Sequence, residues 1–231
     1  MFKNTVKGFN KLLQKDIPPG SIIIVSGTHG TLKSGFVHNL MSNYLQSNDE
    51  CGVYATFEES KESHIRNMES LGIKKPDNLH IFDYGDLGKN VEKAWRESKF
   101  DIEKLVGSVI KFYKLKFGKK FTVFALDSMN SLYALLEPTR FRKQSCTLLN
   151  TLRESGLTSF IIVETPAESE IYGPLYFMAD GVFTFGKIER QEAVIRYLQI
   201  EKLRATEHSM KKHQLVVEKD GLAVLGSAYE K

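Results

Sequence analysis

Lys33 and Ser34 close the stretch Gly27, Thr28, His29, Gly30, Thr31, Leu32, Lys33, Ser34, and their spacing from its glycines suits phosphate chemistry. In such a loop successive backbone N–H groups curl around phosphate oxygens, the following helix offers its positive end, and the lysine neutralises terminal phosphate charge. Ser34 would supply a hydroxyl to Mg2+. The stretch follows the apolar run Ser21 to Ser26 and precedes a helical pattern carrying Phe36, Val37, Leu40, Met41, Tyr44 and Leu45. That is the strand–loop–helix setting which the Walker A pattern G-x-x-x-x-G-K-[ST] requires. Leu32 stands where the second glycine of the pattern belongs. A leucine fits there if its backbone keeps a negative φ and its side chain points away from phosphate. The same letters also suit a Gly-rich turn between a buried strand and a helix that holds no ligand.

Four further places carry groups that could act on a bound phosphate. Phe121 to Leu126 reads as a buried strand ending in Asp127 and Ser128, where a carboxylate of Walker B type helps hold Mg2+ near the phosphate loop. Asp-Ser is equally good turn chemistry. Glu58 and Glu59 close another strand, where one of them could orient or deprotonate an attacking water. Both also precede a helix whose positive end favours acidic residues, with Ser60 as its cap. Lys202 and Arg204 lie two apart on an expected strand and project from one face. In a ring of identical subunits they could meet a neighbour's terminal phosphate; taken alone they are surface cations. Glu164 and Thr165 end a further strand and could sense the γ-phosphate or form a turn. The six histidines make no metal spacing, and no hydrolase triad can be read.

Alternating apolar and amphipathic segments would position these groups. Strands are expected over 21–26, 52–57, 79–83, 121–126, 158–163 and 180–185, with helices over 33–47, 60–71, 89–116 and 138–155. Short buried strands separated by helices imply βαβ units and a largely parallel sheet with helices on both faces. After residue 180 the pattern turns strand-like, with Ala193 to Arg204, Gln214 to Glu218 and Leu222 to Leu225. Asp220-Gly221 between the last two runs predicts a hairpin. An α/β fold whose parallel sheet ends in antiparallel strands follows, as one domain over 1–231.

Composition agrees with that class. The chain has 231 residues, 42% hydrophobic and 26% charged, enough for one α/β domain. No secretory signal or bilayer-length apolar run is apparent, and Cys51 and Cys146 lie far apart, so a reduced, cytoplasmic protein is expected. A formal charge of +4 is too small an excess to imply nucleic acid. The basic stretch from Lys111 to Lys120 reads as a helix end facing solvent.

In order along the chain, several segments together resemble the KaiC-like branch of the RecA superfamily, in its single-domain archaeal form. Phe9 to Ile22 is similar to the family's lead-in with its Ile-Pro-x-Gly turn. Tyr54-Ala-Thr-Phe-Glu-Glu-Ser resembles its paired-glutamate motif, Ala125-Leu-Asp-Ser its Walker B, Ala179-Asp-Gly-Val a late strand entry, and Glu201 to His208 its K-x-R-G-T-x-H segment. The resemblance implies a RecA-like ATPase with ATP and Mg2+ as cofactors, assembling as a homo-oligomeric, commonly hexameric, ring with ATP between subunits. It puts Lys33 and Ser34 on phosphates and Mg2+, Asp127 in the Walker B role, and Glu58 and Glu59 at the catalytic carboxylate position. Lys202 and Arg204 would reach the neighbour's nucleotide. Two positions depart from the family, Leu32 and also Ala205, which replaces a glycine after Arg204. The family's clock protein carries two tandem ATPase copies, so its phosphorylation cycle is not carried over. A regulatory or signalling ring ATPase acting on an unknown protein partner is the leading expectation. The alternatives are an archaeal RadA paralogue binding single-stranded DNA and a nucleotide-sensing motor component. For DNA, residues 165–178 are the candidate inner loop, and they carry acid but no lysine or arginine; Arg140-Phe-Arg-Lys143 is the candidate basic site.

Overall fold

Ile22 to Val25 are wholly buried, Ile23 and Val25 in one apolar cluster, Ile22 and Ile24 in another. Successive side chains of a strand point to opposite faces, so this strand must lie inside a sheet covered on both sides. The computed structural model describes residues 1–83, 101–133, 138–165, 173–190 and 193–229. In it β1 (Ile22–Gly27) is the fifth strand of a nine-stranded sheet. It is parallel to β2 (Cys51–Thr56), β3 (Leu79–Phe82), β4 (Phe121–Asp127), β5 (Thr158–Glu164) and β6 (Gly181–Arg190), in the order β3-β2-β4-β5-β1-β6. Then β7 (Ala193–Leu203), β8 (His213–Glu218) and β9 (Gly221–Ser227) continue the sheet antiparallel.

One face is covered by α1 (Lys33–Gln46) and α2 (Lys61–Ser70), whose Phe36, Leu40, Met41 and Met68 join Ile23, Tyr54 and Phe160. The N-terminal Phe2, Val6 and Phe9 close that core. The other face is covered by α3 (Ile102–Phe117), α4 (Met129–Tyr133), α5 (Pro138–Ser155) and α6 (Gly173–Met178). The order places β1, with the phosphate-type loop at its end, between β5 and β6. The C-terminal ends of β1, β2, β4 and β5 carry Gly27, Thr56, Asp127 and Glu164 to one edge, which is where open α/β sheets bind ligands.

The expected strands and helices are present, with ends shifted by a residue or two in most cases. The helix expected over 89–116 is described from Ile102, capped by Asp101, whose side chain accepts from the Lys104 amide at 3.2 Å; residues 89–100 lie outside the described ones. Its basic end faces out at Lys111, Lys116, Lys119 and Lys120, while half-buried Lys114 donates from Nζ to the Ser155 carbonyl at 2.5 Å. The expected last hairpin is present. Its turn is Lys219-Asp220, and Gly221 is already paired in β9 opposite Glu218. Gly221 has φ 114, a backbone that favours glycine, and a Cβ there would also meet Asn39 Oδ1 of α1 at 2.7 Å, so conformation and packing both ask for the glycine. Cys51 and Cys146 are free thiols. Among the described residues no helix is long and apolar enough to cross a membrane.

Candidate functional site

The loop after β1 folds as a phosphate cradle would, and Leu32 takes the glycine's conformation rather than avoiding it. Its φ is 71 and its ψ 25, in the left-handed region. This corrects the expectation of a negative φ. The leucine side chain packs against the α1 core and compensates a strain of about 1–2 kcal/mol. Gly27 has φ 149, and a Cβ there would lie 2.1 Å from the Phe185 carbonyl oxygen, so only glycine lets the chain turn there. Gly30 has φ 68. No side chain caps the start of α1, where the amides of the first turn lack intrahelical partners.

Lys33 is buried, and its Nζ donates to the Thr28 carbonyl of its own loop at 2.9 Å, an oxygen that also accepts from Thr31 Oγ1 at 2.7 Å. Burial lowers the Lys33 pKa, opposed by the nearby carboxylates of Glu164, Asp127 and Glu58. Glu164 Oε1 is 3.8 Å away. Asn130 clasps the Glu164 backbone, donating to its carbonyl at 2.8 Å and accepting from its amide at 2.6 Å. Thr165 donates its amide to the Gly27 carbonyl at 3.3 Å.

Asp127 is buried at the end of β4 and accepts from the Tyr54 hydroxyl at 2.5 Å. Burial pushes its carboxyl up to about 6, against hydrogen bonds from Tyr54 and Ser34 and the charge of Lys33. Asp127 Oδ1 is buried and has no hydrogen-bond partner among the described residues. A bare carboxylate oxygen beside a serine hydroxyl fits a hard divalent cation such as Mg2+.

The adjacent glutamates diverge. Glu58 Oε1 accepts from Ser128 Oγ, with Ser131 Oγ at 3.4 Å, and faces the Asp127 corner. Glu59 turns into α2, where Oε2 accepts from Ser63 Oγ at 2.8 Å and Asn67 Nδ2 at 2.7 Å. Its other oxygen lies 3.1 Å from His64 Nδ1. Ser60 caps α2 by accepting from the Ser63 amide at 3.2 Å. Lys33, Ser34, Glu58, Glu59, Asp127 and Glu164 thus line one cleft of about 300 Å³. Thr28 and His29 belong to the loop but not to the cleft's lining.

Lys202 and Arg204 come together elsewhere. Arg204 lies just past the end of β7 rather than on it, yet both side chains reach the Phe177 carbonyl, at 3.0 and 3.4 Å. Arg204 also pairs with Asp180 at 3.1 Å. Leu203 is in register with Gly181 and so with Ile23, four residues before Gly27. At about 3.3 Å per residue that is about 13 Å from the strand end that bears the loop. They stand away from their own chain's cleft. Ala205, like Leu32, keeps a left-handed backbone, at φ 62.

Two cations that the sequence did not single out do reach the loop. Arg196 Nε donates to the Gly30 carbonyl at 2.9 Å, and its cross-strand partner Lys187 brings Nζ to 3.2 Å from where a Gly30 Cβ would be. Strand register, not local spacing, delivers them. Of the DNA-related segments, residues 166–172 and the side chains of residues 140–142 lie outside the described ones.

A buried parallel sheet with a phosphate-type loop at its centre, a buried carboxylate on a neighbouring strand and antiparallel strands at one end define a RecA-like P-loop protein. The family model described as "ATPase: KaiC" matches residues 2–229, and the chain belongs to that family. The circadian clock oscillator protein KaiC of Parathermosynechococcus lividus is 26% identical over 234 residues, 95% of this chain and 41% of that protein. The KaiC of Prochlorococcus marinus strain SARG is 28% identical, over 95% of this chain and 44% of that protein. The chain therefore spans less than half the length of these curated relatives. Among solved structures, a KaiC-like protein from Pyrococcus horikoshii OT3 superposes with a TM-score of 0.76 at 27% identity, covering 95% of this chain and 96% of that one. Family membership supports an ATP-binding function of RecA-superfamily type.

Proposed function

We propose that this chain is one ATPase unit that binds Mg2+ and ATP in the cleft and hydrolyses ATP within a homo-oligomeric ring of regulatory or signalling role. The observation that carries this is the left-handed Leu32, because the loop keeps the backbone of the glycine pattern although the glycine is gone. Lys33, buried and held on a loop carbonyl, is a fixed cation ready to exchange that carbonyl for phosphate oxygen. The loop amides and the open first turn of α1 bind the remaining phosphate charge. Ser34 and Asp127 would hold Mg2+, which supplies charge neutralisation on the phosphates.

Glu58 orients the attacking water. It stands beside the Asp127 corner with one oxygen anchored by serine hydroxyls, so its other oxygen can accept a proton. Glu59 has both oxygens engaged on α2 and serves to hold the turn. Glu164 lies beside Lys33 and reads the terminal phosphate. Lys202 and Arg204 act on the nucleotide of an adjacent subunit.

The test is titration calorimetry with Mg2+ and ATP together with a phosphate-release assay. Lys33→Ala is expected to abolish binding; undiminished binding in that variant overturns the assignment.

A further inference from the structure

Behind the glutamate turn lies a chain of buried side chains that the phosphate chemistry does not use. His38, one helical turn after Ser34 on α1, and His64 on α2 are both fully buried, with ring centroids 4.9 Å apart. His38 Nδ1 is 2.9 Å from His64 Nε2, and His64 Nδ1 is 3.1 Å from Glu59 Oε1. These distances fix the protons. An ionised carboxylate only accepts, so His64 carries its proton on Nδ1. A neutral His64 then has a bare Nε2, and His38 must donate to it from Nδ1. That leaves His38 Nε2 bare, and it is indeed buried without a partner among the described residues. Burial lowers the pKa of His64 against the pull of Glu59, and takes His38 down to about 3 with His64 and Lys75 adding to the effect. Both rings are neutral at neutral pH.

We propose that His38 is a positioning residue for ATP hydrolysis: its Nδ1–H satisfies the buried His64 Nε2 and so holds the His64 ring where its Nδ1–H, with Ser63 and Asn67, keeps the Glu59 carboxylate on α2. The proposal rests on the ATPase reading above. Its physical point is charge placement. Glu58 and Glu59 are adjacent in a cleft that must accept a polyanion, and a second free carboxylate there repels both the phosphates and Glu58. Without the His38 donor, His64 Nε2 is a buried acceptor with no partner, and the ring relieves this by turning toward water, which withdraws its Nδ1–H from Glu59 Oε1. The carboxylate is then held on α2 by Ser63 and Asn67 alone and enters the cleft more often. The link also ties the helix that bears Ser34 to the turn that bears the water-orienting glutamate.

The experiment uses the full chain with ¹⁵N-labelled histidine, read by imidazole NMR and by phosphate release. Wild-type His64 is expected to be protonated on Nδ1. In His38→Leu the bond from His64 Nδ1–H to Glu59 weakens, seen as an upfield shift and faster exchange of that proton, kcat falls about tenfold, and the KM for ATP stays within about twofold. His38→Asn places an amide N–H where Nδ1–H stood and recovers most of the rate. Wild-type His64 protonated on Nε2, full turnover in His38→Leu, or equal loss in the Leu and Asn variants would each overturn the proposal. Should His38→Leu fail to fold, the wild-type tautomer and the Asn variant decide it. A wild-type chain that releases no phosphate overturns the ATPase reading instead, and the spectra still decide the His38–His64–Glu59 link.

Discussion

Leu32 and Ala205 are the two non-glycine residues with positive φ among the described ones, and both stand where the KaiC-like pattern has glycine. The backbone is kept and the side chain is accommodated, so the missing glycine is not a missing loop. Leu32→Gly relieves left-handed strain but adds freedom to the unfolded chain and loses the leucine's contacts. Stability should therefore change by no more than about 1 kcal/mol, with ATP affinity within severalfold by calorimetry. Leu32→Val puts a β-branched residue into that region, where it is a far poorer fit, and is expected to weaken binding clearly. The glutamates should separate in kinetics. On the role proposed for it, Glu58 acts in the transition state, so Glu58→Gln should lower phosphate release about a hundredfold or more with little change in binding. Glu59→Gln keeps its shape on α2 and should cost about tenfold or less. Equal losses in the two variants would erase the distinction between their roles. His38 adds a pH signature. Its folded-state pKa lies near 3, below the ordinary 6.5, so on acidification the unfolded chain takes up this proton before the folded one. The contribution of His38 to stability is full above about pH 6.5 and is lost by about 1.4 kcal/mol per pH unit as pH falls toward 3. Asp127, with its carboxyl raised to about 6, contributes in the opposite sense over part of this range, so the slope is expected in the stability difference between wild type and His38→Asn measured by denaturation at a series of pH values.

At the scale of elements, the site is made by where strands end. Gly27, Thr56, Asp127 and Glu164 are carried to one edge by parallel register alone. The fit of β1 against β6 is tight at that edge. Gly27→Ala would place a methyl 2.1 Å from the Phe185 carbonyl oxygen, and the expected result is a loss of several kcal/mol of stability in denaturant unfolding. Much of this was legible in the sequence, because buried parallel strands read as apolar runs and the helices between them as amphipathic stretches. Lys33, Ser34, Asp127 and the glutamates were legible too, since each sits at the end of its own strand or the start of its own helix. What was hidden depends on residues from different elements meeting. His38 and His64 are 26 positions apart and meet only because α1 and α2 share a sheet face. Arg196 reaches Gly30 through cross-strand register in the β6–β7 pair, which no local pattern encodes. The φ of Leu32 was misread for a related reason: local preference disfavours it, and the packing of the side chain on the α1 core overrides that preference.

At the scale of the whole molecule, the position of Lys202 and Arg204 argues for action between subunits. In one chain they grip the Phe177 carbonyl at the C-terminal end of α6, with Arg204 paired to Asp180. Phe177 itself is 79% exposed beside them. They lie toward the opposite end of β1 from the phosphate loop, beyond the reach of their own nucleotide. In the proposed ring, a head-to-tail contact would set this region of one subunit against the open loop edge of the next, the heterologous kind of contact that closes rings. A cation held there by the neighbour stabilises charge spread over the transferring phosphoryl oxygens, and its loss costs on the order of a thousandfold in rate. An ordinary surface cation contributes far less. Arg204→Ala alone should therefore be nearly silent in turnover while still binding ATP, and Lys33→Ala should fail to bind. Mixed, the two should recover part of the activity, because some interfaces then pair an intact loop with an intact finger. The recovered rate should rise and fall with the mixing ratio and peak near equal proportions, as read by phosphate release on rings whose composition is checked by native mass measurement. No recovery in rings shown to be mixed, or a monomer with full turnover, would remove Lys202 and Arg204 from the reaction and leave them as the clasp on α6.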